Sequence, residues 1–351
     1  MKKIIVLSII SINFAYAEDL LTHKHDVQLK NVYNDKNFHQ GEDTGSWSQG
    51  IIYRGEFSKQ INSVEISLLP SFQYAQRLGK SHELSDGTYA FDPVSKTQPR
   101  QYHKEGLALK LEYQNHSLQL GEQWLNLPIT GLDGTKQLLP TYQGIIYSYV
   151  PNKLTEMSFG YINRYNPKDE EDFKKLTVAA NESDGLYYFN IRHRFTEGVE
   201  AQFYNGYLLD MYNHIYIGGT YSSKISSNLS NNFTLKYFNS SAIGDEKIGD
   251  IKVNYYGVMD EINYLDTSMG FGYQKIDGNQ NFPLIMGIPA RYFINWTQGM
   301  FNKQDESSYH FNFKYKMDKW VPGMDLTYRY IYGDNFKTNG FDNREIERDI
   351  I

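Results

Sequence analysis

Lysine and arginine recur at every second position opposite rows of aromatic and aliphatic residues. Over 308–317, His310, Asn312, Lys314 and Lys316 alternate with Tyr309, Phe311, Phe313, Tyr315 and Met317. The same pattern sets Asp325, Thr327 and Arg329 against Leu326, Tyr328, Tyr330 and Tyr332, and Asn190, Arg192 and Arg194 against Tyr187, Phe189, Ile191 and Phe195. Alternate side chains share one face of a strand, so these cations would line a common wall. Reading other segments in the same way adds Lys30, Arg54, Lys110, Lys236 and Lys252, with Glu65, Glu112, Glu200 and Asp325 as the acids. The set carries a net charge near +6. Any one of these lysines is as well explained by simple solvation. Together, on a wall backed by low-dielectric material, they would attract anions and carboxylates.

Other chemistries find little footing. The chain has no cysteine, which excludes disulfides and thiolate-bound metals. Its nine histidines accompany no Gly-x-Ser-x-Gly nucleophile motif. His23-Lys24-His25 has two metal-ligating side chains and no third nearby. No enzyme activity and no cofactor are expected. The acidic run Asp169-Glu170-Glu171-Asp172 reads as a solvated loop.

The wall needs elements to carry it, and the 351 residues supply them as alternating segments of about ten residues. Short turns fall at 59–62, 115–116, 150–153, 196–198 and 318–323. Longer polar stretches fall at 34–46, 76–104, 126–140, 164–185 and 277–307. Alternating short and long connections suit an all-β, transmembrane antiparallel β-barrel, whose sheet must close because an open edge leaves backbone groups unpaired in lipid. About fifteen complete strands fit between Asp26 and Gly333. Two rival classes are a barrel enzyme and a secreted soluble β-protein that binds carbohydrate through its aromatics. The absent nucleophile motif disfavours the first, and the Tyr/Phe-rich outward face disfavours the second.

Residues 1–17 read as a secretory signal peptide: Lys2-Lys3, an apolar stretch to Ile12, and Ala15-Tyr16-Ala17 before the cut. Its removal takes the net charge from −6 to −8, which argues against nucleic acid as a partner. Residues 18–351 then form the barrel. A wide barrel needs narrowing. The loop 126–140 is too apolar to hang in water, so it is expected to fold inward as a constriction, presenting Asp133 and Lys136 to solute. A second inserted loop is expected over 278–301, where Phe282, Tyr292, Phe293 and Trp296 also need cover.

The segments Leu138-Leu139-Pro140-Thr141-Tyr142-Gln143-Gly144, Phe203-Tyr204-Asn205-Gly206, Gly272-Tyr273-Gln274 and Val321-Pro322-Gly323-Met324, with Glu347-Arg348-Asp349 beyond, resemble in order and spacing the OprD-type outer-membrane porins. That resemblance covers nearly the whole mature chain. It implies an eighteen-stranded monomeric barrel in a Gram-negative outer membrane, in contact with lipid and lipopolysaccharide and inserted by the barrel-assembly machinery. It also implies inward loops and a basic ladder guiding small-molecule solutes: amino acids, small peptides and organic acids. Arg329 and Arg348 match ladder positions, and Lys30 matches the basic residue of the first strand. Asn279 and Asn281 stand where relatives carry acids, which weakens any expectation of selectivity for basic amino acids. By the family pattern, the chain would lack its last two strands and most of a third. The sixteenth would begin only near Ile346.

Overall fold

The computed structural model describes residues 3–7, 14–18, 21–37, 42–128, 130–132, 134, 136–285, 288, 292–294, 299–338 and 341–350. All its named elements are strands. They are β1 (Lys3–Leu7), β2 (Phe14–Glu18), β3 (Leu21–Lys36), β4 (Thr44–Ile61), β5 (Val64–Arg77), β6 (Gln101–Tyr113), β7 (His116–Gln123), β8 (Thr141–Asn152), β9 (Thr155–Asn166) and β10 (Leu176–Val178). The remainder are β11 (Asn181–Ser183), β12 (Leu186–Thr196), β13 (Val199–Leu208), β14 (Tyr212–Lys224), β15 (Leu229–Ala242), β16 (Lys252–Tyr264), β17 (Thr267–Gly278), β18 (Ser307–Lys316), β19 (Asp325–Thr338) and β20 (Phe341–Ile350). Eighteen belong to the large antiparallel sheet, and β10 with β11 makes a separate small hairpin.

Contacts divide the chain into two compact units, one of residues 1–126, 130–149 and 160–176 and the other of 127–129, 150–159 and 177–351. In the first, β3 to β8 form consecutive antiparallel pairs. In the second, β12 to β20 do the same. Each unit is thus a meander, the topology that tight turns such as Asn62-Ser63 and Glu197-Gly198 produce.

Each meander has one bare apolar face. Leu29, Tyr33, Trp47, Leu68, Phe72, Leu107 and Ile145 are exposed in the first unit, and Tyr187, Ile217, Leu235, Tyr256, Phe271, Tyr309 and Leu326 in the second. An apolar surface that continuous is costly in water. Among the described residues no helix is long and apolar enough to cross a membrane. The strands offer the alternative. The opposite face is polar and covered by loops.

The chain ends add strands, and one expectation there is revised: the last strand does not begin only near Ile346. Within residues 1–17, β1 and most of β2 form short strands, and both pair with β3, with Leu7 opposite Asn31 and Ala17 opposite Thr22. Near the other end, 334–345 is not a loop. β19 runs to Thr338 and β20 starts at Phe341, so the sixteenth meander strand has ten residues. The ladder survives there through a bulge between Gly333 and Phe336, where Asn335 takes φ 64°.

Candidate functional site

Register decides which side chains share the loop-covered face. In β3 and β4, Lys30 lies across from Gly50 and Asp26 from Arg54. In β5 and β6, Gln73 faces Lys104 and Ser67 faces Lys110. All of these lie on one face. Lys30 is only 4% exposed. Its ammonium donates to the carbonyl of Gly134 at 3.0 Å and to that of Lys136. Lys104 donates to the Leu139 carbonyl at 3.1 Å and to that of Pro167. Gln73 clasps Leu139 both ways, donating to its carbonyl at 3.1 Å and accepting its amide at 2.8 Å. Ser48 donates to the Gln137 side chain at 3.0 Å, and the Gln137 amide donates to Thr88 at 3.1 Å.

The loop 126–140 therefore lies on this face over its described residues. Leu138 is fully buried with Ile52, Ala75, Tyr89, Ala90 and Tyr102. Gly50 makes room for it, since a Cβ there would come within 2.2 Å of the Gln137 amide nitrogen. Asp133 lies outside the described residues, and Lys136 contributes its carbonyl to Lys30. Burial pushes the Tyr89 hydroxyl up to about 12, so it stays a neutral donor, here to the Arg100 carbonyl at 3.2 Å.

Arg54, Lys110 and Lys24 on this face are ion-paired instead. Arg54 pairs with Asp26 and lies 5.3 Å over the Trp124 ring. Lys110 bridges Glu56 at 2.7 Å and Glu112 at 2.8 Å, and Lys24 reaches Glu56 at 3.2 Å. Glu122 turns inward at Gly121 (φ 106°), fills the space over Gly106, and accepts from Trp124 at 3.2 Å.

The second unit is built differently. Arg192 and Arg194 flank a single acid, Glu200, at 3.6 and 3.7 Å. Lys314 pairs with Asp325 at 2.5 Å. Lys316 is exposed on the same face, and Arg329 shares it across from Asn312. Lys236 donates to the Phe293 carbonyl at 3.1 Å. The loop between β17 and β18 is seated by rings. Phe293 stacks on Tyr255 at 4.0 Å, and Phe282 stacks on His214 at 5.0 Å, edge-on to Phe238 and Phe293. Trp296 lies outside the described residues.

Two expected ladder residues are misplaced. Lys252 follows Asn254 and Tyr256 in register, opposite to the loop-covered Tyr255, and pairs with Asp250 at 2.8 Å. Arg348 sits across from Tyr330 and stacks over its ring at 5.5 Å, on the bare face. Strand parity requires this once Glu345 and Glu347 face the loops. Parity also brings in acids beyond Glu65, Glu112, Glu200 and Asp325: Asp26, Glu56, Glu261, Glu345 and Glu347; Glu122 joins them against parity, through the turn at Gly121. The wall is less cationic than the sequence suggests. Lys104 and the acids other than Glu122 were findable by continuing parity along each strand from a residue already placed.

Residues 16–351 match the family described as outer membrane porin, OprD family. The chain belongs to the OprD family. It is 22% identical to Porin D of Pseudomonas aeruginosa over 323 residues, covering 88% of this chain and 73% of that protein. The crystal structure of OccAB4 from Acinetobacter baumannii is similar at 33% identity and a TM-score of 0.87, over 93% of this chain and 87% of that one. The structure of Pseudomonas aeruginosa OpdK with vanillate is similar at 22% identity and a TM-score of 0.87, with the same coverage. The protein is therefore an outer-membrane β-barrel porin, a channel and not an enzyme. The bare apolar face is its lipid face, as a spanning sheet requires, and the loop-covered face is its lumen.

Proposed function

We propose that this porin passes small carboxylate-bearing solutes by diffusion: amino acids, small peptides or organic acids. The observation that carries the reading is the pair Arg192 and Arg194 on one carboxylate, Glu200. Two fixed positive charges share one negative partner at distances longer than a close ion pair, which leaves attraction for a passing anion. Lys314, Lys316 and Arg329 extend the path on the same family of strands. Lys30, Arg54, Lys110 and Lys236 belong to the wall's construction, and Lys252 and Arg348 are left out. OpdK, a fold relative, was solved with vanillate, a carboxylate.

Residues 1–17 act as the leader and leave on export, and the family match beginning at residue 16 supports this. The mature chain works as a monomer among outer-membrane lipid and lipopolysaccharide, after insertion by the barrel-assembly machinery.

Liposome swelling tests the substrate class. Carboxylates are expected to enter several-fold faster than amides or amines of the same size. Equal rates, or faster amines, contradict the proposal.

A further inference from the structure

Glu306 closes the second loop immediately before β18. Its side chain is 1% exposed. One carboxyl oxygen, Oε2, accepts the Lys303 amide at 3.0 Å, whereas Oε1 has no donor among the described residues. Oε1 is packed against β19 where Gly333 has no side chain, since a Cβ there would lie 2.6 Å away. Beside it stands a second acid, Glu345 of β20, itself paired with the Lys303 ammonium. Lys303 also caps the Phe336 ring at 3.9 Å. The charged groups acting on Glu306 are thus Lys303 from its own loop and Glu345 from β20, while Glu347 of β20 holds Gly299 and His310 of β18 bonds Ser308. Gln274 comes from β17 and Gly333 from β19.

A buried carboxylate oxygen without a donor is costly, and a neighbouring carboxylate makes it more so. A proton on Glu306 relieves the cost, turning an acceptor without a partner into a donor. We propose that Glu306 is held protonated in the seated loop and forms, beside Glu345, a pH-dependent latch that holds residues 299–306 on the lumen wall. The rest of the segment's seating passes through the same strands. Gln274 donates to the Phe301 carbonyl at 2.9 Å, the Ile276 amide to the Glu306 carbonyl at 2.9 Å, and the Gly299 amide to Glu347 at 2.6 Å.

Burial, then the bond and charge of Glu345, push Glu306 well above the usual carboxylate range, against a smaller downward pull from Lys303. The seated loop therefore binds a proton that the released loop loses. Its stability is complete at acid pH and falls as pH rises through the raised titration. Deprotonation breaks the Glu306 O–H bond, hands the proton to water, and leaves a buried carboxylate beside the half-buried Glu345 with one ammonium between them.

Single-channel conductance in potassium chloride, from about pH 6 to about pH 9.5, tests the latch. That readout needs a channel but no particular solute class, so its failure is separate from failure of the carboxylate reading. The native channel is expected to rise in conductance and in current noise toward alkaline pH. Glu306→Gln, whose amide supplies the missing donor permanently, is expected to stay at the low level throughout. Glu345→Gln supplies a donor from the other side and is expected to do the same, even if the first variant does not assemble. A native channel flat across the range, or variants that rise like the native one, overturns the proposal.

Discussion

On the β3–β8 wall, Lys30 and Lys104 end on backbone carbonyls of inserted segments, and Arg54 and Lys110 end on acids. On the β12–β19 wall, Arg192 and Arg194 share one acid, and Lys316 and Arg329 line the same face. The two loops account for much of the contrast. The described part of 126–140 has little regular backbone pairing, so its carbonyls need donors from the wall, and buried peptide groups seldom go without. The loop between β17 and β18 brings aromatic rings and is seated by stacking on Tyr255, His214 and Phe238. It draws one lysine, Lys236. In the proposed reading, a lumen cation is left for solute where the loop beside it satisfies itself by other means.

This contrast is sharpest if the two loops fail differently. Phe282→Ala removes a ring packed among His214, Phe238, Tyr255 and Phe293. It is expected to lower the local stability of the second loop by about 3–5 kcal/mol. Hydrogen exchange at the Phe282 amide, which donates to Asn302 at 2.9 Å, should accelerate accordingly. Unchanged exchange would mean that the rings are not what seats this loop.

Lys30→Met is the counterpart in the first loop. It leaves the Gly134 and Lys136 carbonyls without that donor, at an expected cost of about 1–3 kcal/mol. The Gln137 amide, bonded to Thr88, reports it by faster exchange, with the second loop unaffected. Ion selectivity should hold, because Lys30 is an element of construction. A large selectivity change would put Lys30 in the solute path.

Legibility in the sequence followed the purity of alternation. In β18 every lipid-facing residue from Tyr309 to Tyr315 is aromatic and every partner is polar, so sequence and register put Lys314 and Lys316 on the same face. In β16 aromatics sit on both faces, Tyr255 inward and Tyr256 outward, and Lys252 was assigned by its charge against its parity. Arg348 failed for another reason: it was placed by its match to a family ladder position, whereas in its strand it extends over Tyr330 on the lipid side, as long basic side chains do near membrane interfaces. Gln73 and Lys104 could be placed on a face by parity. Their role as struts could not, because the Leu139 backbone they hold is far along the chain. The Glu306–Glu345 contact depended on a bulge at Gly333 that alternation does not reveal.

The reversal potential across a salt gradient at neutral pH tests most directly the claim that the β12–β19 wall presents its cations to solute. The channel is expected to prefer anions, and Arg192→Gln with Arg194→Gln is expected to abolish most of that preference while the barrel still assembles. A clear cation preference in the native channel, or an anion preference that survives the double substitution unchanged, would contradict it.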